Sequence, residues 1–251
     1  MRARRRLFVP LADIQGSVDR FLARYGARIS QHTAKISQYA EIAAYNAIIS
    51  FYESMHYAAK PEQTDGAKFK YKLQPTGDPR KYSYFSLSKG SDKYSVLNNI
   101  SIESAHVERH YFTGDIVITD DESFAVRTKE DNSAIGIRRS TFSIPNGAVR
   151  TFIEVKNMAA FPELLFQFSG LLFEIMPDIF FGKVAKRKQT HLAPSLVCSF
   201  AGSGHAMYIR RTLLKRWHIN IFVDFLTHRS LDADDVRLIS SRRLKFKALT
   251  G

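Results

Sequence analysis

The sequence predicts an α/β protein: a mixed sheet flanked by helices, with a helical segment at its amino-terminal end. Three observations lead there. Apolar residues recur at helical spacing over residues 13–57, strand-like runs follow from 94 to 155, and strand and helix patterns then alternate to residue 226. A chain of 251 residues with 45% hydrophobic content, 19 Phe and 11 Tyr can bury a sizeable core. A single domain over 1–251 is expected, with a helical extension over about 1–60.

In order along the chain, residues 13–57 predict two helices with a break near 26–33. Ile42, Tyr45, Ile49 and Tyr52 form one stripe of the second helix, and Pro61 marks its end. The Lys- and Gly-rich stretch 60–93 reads as a loop or hairpin over a groove. Strands are expected at 94–104, 112–119, 124–128, 134–142 and 148–155, which makes the sheet at least partly antiparallel. A helix over 161–176, a strand over 195–200, a helix opened by Gly202-Ser203-Gly204 and a strand over 218–226 follow. Their alternation is that of parallel units. Ser230 with Asp232, Asp234 and Asp235 reads as one more helix start.

A formal charge of +13 and a pI near 9.8 favour an anionic partner, nucleic acid first and a membrane surface second. The one cysteine, Cys198, excludes an intramolecular disulfide and any multi-cysteine metal site, and suits a reducing, cytoplasmic setting. The most apolar run, 159–181, is interrupted by Pro162, Glu163, Gln167, Glu174, Pro177 and Asp178, and reads as a core helix rather than a span. The amino terminus Met1-Arg2-Ala3-Arg4-Arg5-Arg6 is basic, but its apolar stretch is only residues 7–11 and contains Pro10. It reads as a phosphate-touching arm or a tail.

The residues that carry chemistry lie in two strands. Gly114-Asp115-Ile116-Val117-Ile118 sets a carboxylate at the head of an apolar strand, and Phe152-Ile153-Glu154-Val155-Lys156-Asn157 sets an acid and a base two apart on another. A period of two projects Glu154 and Lys156 to the same side. Charges in strands this apolar are unfavourable unless paired or bound to a cation. An exposed ion pair on an edge strand and a catalytic pair both satisfy that condition.

A helix, a strand, a strand beginning with Asp, a strand carrying Glu-x-Lys, a helix and a strand: this order, over about 39–226, resembles the PD-(D/E)XK nuclease superfamily and its restriction-endonuclease-like fold. The resemblance implies that Asp115 and Glu154 are the acidic metal ligands and Lys156 the catalytic lysine, with Glu41 as the helical glutamate and Glu53 a poorer choice. Gly114 stands where many members have proline. The acidic ligands are 39 positions apart, longer than a hairpin needs, and an inserted hairpin around Glu130-Asp131-Asn132 accounts for the excess. Where some branches place Gln and Tyr four apart on the next helix, Gln167 is followed by Leu171, so Gln167 has a structural or minor positioning role.

The implied activity is hydrolysis of DNA phosphodiesters with Mg²⁺, or Mn²⁺ in its place, held by Asp115, Glu154, Glu41 and the Val155 carbonyl. The implied setting is an effector of an antiphage defence or mobile-element system, acting on DNA as a homo-oligomer or a subunit of a larger complex, with no membrane partner. An inactive nucleic-acid- or partner-binding module of the same fold is the alternative. A membrane-surface role for 161–181 would need an exposed apolar face.

Other constellations are weaker. His106, Glu108 and His110 alternate and could hold zinc, but exposed turn residues are the default. Asp120, Asp121 and Glu122 read as a solvated turn, and Gly202-Ser203-Gly204 as a helix start before a phosphate cradle. Lys183, Lys186, Arg187 and Lys188 form one basic run. Arg210, Arg211, Lys215 and Arg216 form another, and the two together are expected to contact phosphates.

Overall fold

The computed structural model describes residues 36–66, 69–120, 127–129, 141–181, 189–225 and 236–240. The first helix expected from the sequence, the 130–132 hairpin tip, Asp121, Glu122, the 183–188 basic run and the helix start at Ser230 lie outside them.

Helix α1 (Ile36–Ser54) is a core helix. Its stripe of Ile42, Tyr45, Ile49 and Tyr52 is wholly buried, and Ala43, Ala44 and Ile48 widen the apolar surface. The Tyr45 hydroxyl donates to the Val96 carbonyl at 2.8 Å and ties the helix to the sheet. The helix stops when His56 takes φ +67°, its N–H bonding Glu53 O and the Tyr57 N–H bonding Tyr52 O. This is a Schellman stop with His where glycine is commoner. Pro61 is therefore not the end of the helix. It lies in strand β1 (Ala58–Glu62), at the outer edge of the sheet, where a strand proline is tolerated.

The further strands are β2 (Tyr84–Lys89), β3 (Asp92–Glu103), β4 (Tyr111–Asp120), β5 (Arg127–Lys129), β6 (Thr141–Ile144), β7 (Val149–Ala159), β8 (Gln189–Leu192), β9 (Ser195–Phe200), β10 (Asn220–Phe222) and β11 (Leu238–Ser240). The main path is β1-β2-β3-β4-β7-β9-β10. It is antiparallel from β1 to β7 and parallel from β7 through β9 to β10. Strand β6 runs parallel to the far end of β3 and pairs antiparallel with β5, as the base of an inserted hairpin would. Strand β8, which no sequence signal marked, pairs with β11. The expected strand over 218–226 is confined to β10.

Two helices make the parallel crossovers. Helix α2 (Pro162–Ile175) starts with Pro at its first turn and buries Leu164, Leu165, Phe168, Leu172 and Ile175. Phe166 and Phe173 remain on its outer face, and the short helix α3 (Asp178–Phe181) follows it. Helix α4 (Gly204–Arg216) is capped by Ser203, whose Oγ accepts the Ala206 N–H at 3.2 Å. The sheet separates two apolar layers. One holds α1 with Ile116, Ile118, Ile153 and Val155; the other holds α2 and α4 residues with Val117, Phe152 and Leu196. Cys198 is a buried strand residue of the second layer. Among the described residues no helix is long and apolar enough to cross a membrane.

Candidate active site

The site begins where the period-of-two pattern fails. In β4, Ile116 and Ile118 enter the α1 layer and Val117 the opposite one. Strict alternation would send Gly114 with Ile116. A Cβ on Gly114 would instead lie 2.7 Å from Val117 Cγ2, 3.3 Å from Ile102 Cδ1 and 3.7 Å from the Phe152 Cβ, all of the opposite layer. The alternation therefore switches across Asp115. In β3 it switches too, since Val96 faces α1 while Leu97, Ile100 and Ile102 do not. The residue at that switch is Asn99, at φ +47°, and the β3–β4 ladder pairs Asn98 with Ile116 and Ile100 with Gly114 around it. The twist at this level turns Asp115 out of the regular pattern. It also explains why residue 114 is glycine, because any side chain there meets the β-branched Val117.

Strand β7 brings the other two residues alongside. Ile116 pairs with Ile153 and Val117 with Phe152, so Glu154 and Val155 run past Asp115. The Val155 N–H donates to Asp115 Oδ2 at 2.8 Å. Lys156 Nζ lies 3.6 Å from Asp115 Oδ2 and contacts Glu154 Oε1 directly. The side chains of Asp115 and Glu154 are each 14% exposed and that of Lys156 is 32% exposed, so this is not the freely solvated ion pair of an edge strand.

Glu41 of α1 is the third acid. It is half-buried, accepts a hydrogen bond from Asn99 Nδ2 at 3.0 Å, and lies close enough to Asp115 and Lys156 to feel both charges. Glu53, the poorer candidate, is half-buried about three turns further along the helix.

The electrostatics follow from crowding acids in a half-dry place. Burial, then repulsion by Asp115, pushes Glu154 up to about 7 against the pull of Lys156. Burial also raises Asp115 and Glu41, with Lys156 and a hydrogen bond opposing it in each case. Burial pulls the Lys156 ammonium down, but Asp115 and Glu154 outweigh it and hold its pKa above the usual lysine value. Lys156 therefore stays charged, while the three acids bring more negative charge than it can balance.

The donor set fits a hard divalent cation. Its oxygens are carboxylates, and Glu154 Oε2 is buried without a hydrogen-bond partner. The acids do not form a closed cage: among the described residues no group of three or more His, Cys, Asp or Glu is gathered as metal ligands. The Lys156 ammonium lies between Asp115 and Glu154 instead.

The remaining expected residues are distributed as follows. Arg211 and Lys215 are exposed one helical turn apart on α4, with Arg216 beside them. Arg210 is half-buried and donates its Nε–H to the Ile221 carbonyl at 2.7 Å, which makes it first a structural tie between α4 and β10. Lys186, Arg187 and Lys188 lie outside the described residues. Gln167 is exposed on α2. His106 stacks on Phe173 at 4.5 Å with its Nε2 3.0 Å from the Phe173 carbonyl, and it shares no metal-ligand group with Glu108 and His110. Asp120 pairs with Arg150 through two contacts, so it belongs to an ion pair rather than a cation cage. Gly202 is explained by packing, since a Cβ there would lie 2.6 Å from the Ala160 carbonyl oxygen.

Sequence reasoning missed Asn99 and Lys72. Lys72, only 3% exposed, donates to the carbonyls of Asn99 at 2.5 Å, Gln74 at 2.6 Å and Pro75 at 2.8 Å. Burial lowers its pKa to about 8. An asparagine inside an apolar strand was the available signal. No protein-family model, curated protein or solved structure matches the chain.

Proposed function

We propose that this chain is a Mg²⁺-dependent deoxyribonuclease of the PD-(D/E)XK superfamily with a restriction-endonuclease-like fold. The observation that carries the reading is the convergence of Asp115, Glu154 and Lys156, from two neighbouring strands, with Glu41 of α1 near enough to interact electrostatically with Asp115 and Lys156. The mixed sheet with crossover helices, the glutamate on the preceding helix and the basic surface support it.

Asp115, Glu154, Glu41 and the Val155 carbonyl would hold Mg²⁺ or Mn²⁺. When bound, such an ion supplies Lewis-acid stabilisation of charge on a phosphoryl oxygen. The chain's own residues do the rest. The Val155 N–H orients Asp115, so that the first acid is fixed relative to the strand that carries the second. Lys156, kept protonated by its two acidic neighbours, offers an ammonium to the charge that grows on phosphate oxygens during displacement. Arg211 and Lys215, exposed on α4, suit contact with the sugar-phosphate backbone, which positions DNA without reading its sequence.

The test is incubation of the protein with supercoiled plasmid, linear duplex DNA and RNA in Mg²⁺ or in EDTA. DNA cleavage in Mg²⁺ alone, abolished by Asp115→Asn, is the expected result. Cutting that persists in EDTA or in the variant overturns the assignment.

A further inference from the structure

Three polar residues outside the Asp-Glu-Lys triad are linked in one chain. Lys72 places its ammonium against three carbonyls, one of them that of Asn99. These bonds use all the donors an ammonium has, so Lys72 fixes backbone and has nothing left for a substrate. Asn99 is 6% exposed and held in the left-handed region, and its amide nitrogen donates both back to the Lys72 carbonyl at 3.2 Å and forward to Glu41 Oε2 at 3.0 Å. The link runs from Lys72 through Asn99 to Glu41, and Glu41 interacts electrostatically with Asp115 and Lys156.

A half-buried glutamate on a helix can turn through several rotamers, and repulsion from Asp115 favours those that carry it away from the site. The Asn99 amide opposes that tendency. Its position beside Asp115 in the β3–β4 twist is available only because residue 99 adopts a positive φ, which asparagine tolerates better than most side chains.

We propose that Asn99, braced by Lys72, is a positioning residue that holds the Glu41 carboxylate toward Asp115 and so sets the affinity of the site for a divalent cation. The inference rests on the nuclease reading, in which Glu41 is a ligand. Partners that orient a ligand are worth about 10- to 100-fold in metal affinity when removed.

Asn99→Gly separates this role from a structural one, because glycine accepts the positive φ while losing the amide. Mn²⁺ affinity, read by calorimetry or by the paramagnetic signal of the free ion, should fall at least about tenfold. The fold should remain, checked by circular dichroism and the melting curve. Glu41→Gln should weaken Mn²⁺ binding as well, and Asn99→Gly should add little in the Glu41→Gln background, since the amide acts through that carboxylate. Unchanged Mn²⁺ affinity in Asn99→Gly, or full additivity of the two substitutions, overturns the inference and leaves the nuclease reading standing. A wild-type chain that binds no Mn²⁺ removes both.

Discussion

The Asp115 carboxylate accepts the backbone N–H of Val155 at 2.8 Å, so the acid of one strand is tied to the Glu154–Val155 peptide of the next. That bond holds two like-charged side chains near each other against their repulsion, with Lys156 supplying part of the compensation. The arrangement is unfavourable for the isolated protein and useful for binding a cation, and the consequences can be measured.

The first concerns pH. Glu154 is pushed up from 4.5 to about 7, so below pH 4.5 it is protonated in both folded and unfolded chains. Between those values the folded protein holds the extra proton, and its stability declines as pH rises. Metal-free Glu154→Gln should therefore melt higher than wild type at pH 8, by on the order of 1–3 kcal/mol, and the advantage should shrink toward pH 4.5. Thermal melts in EDTA across that range test it, and a constant difference would remove Glu154 as the cause.

Cation binding should show the opposite dependence. The carboxylate must lose its proton to act as a ligand, so Mg²⁺ or Mn²⁺ affinity should rise through about pH 7 and flatten above it. Calorimetry in buffers of different ionisation enthalpy would register the released protons. Proton-free binding at pH 6 would contradict it.

Lys156→Met retains much of the apolar stem and removes the ammonium. DNA cleavage should fall by roughly 10² to 10³, the loss typical of one electrostatic contact made in the transition state, with DNA affinity nearly intact. A normal cutting rate would reduce Lys156 to a structural partner of Glu154. Lost binding would instead make it a phosphate-docking residue.

On α4 the basic residues should separate by role. Charge reversal at exposed Arg211 and Lys215 should weaken DNA binding and flatten its salt dependence. Arg210→Ala should cost about 1 kcal/mol of stability through the lost Ile221 contact, with a smaller change in the salt slope. Equal effects on the slope would place all of them on the phosphate surface.

Gly114→Ala would push a methyl to 2.7 Å from Val117 Cγ2. Overpacking of this kind costs about 1–3 kcal/mol, and here it also displaces the neighbouring Asp115. Lower stability together with weaker Mn²⁺ binding is expected; a melting temperature equal to wild type would show that the strand relaxes without strain.

Much of this was legible in the chain because it depends on short-range patterning. The stripe of Ile42, Tyr45, Ile49 and Tyr52, the helix over 161–176, the strand at Ser195–Phe200 and the shared side of Glu154 and Lys156 all follow from periods of 3.6 and 2. Pro61 looks like a stop because a proline follows the helical pattern, whereas the stop is His56 at positive φ, a conformation far commoner for glycine. Strand β8 went unmarked because it is short and holds a buried His191. What only the tertiary structure decided was the switch in alternation at Asn99 and Asp115, the approach of Glu41 to them, and the use of Arg210 as a tie rather than a free charge. Each depends on strand pairing or helix packing between distant segments, and a local sequence pattern specifies which face a residue prefers but not which partner will meet it there.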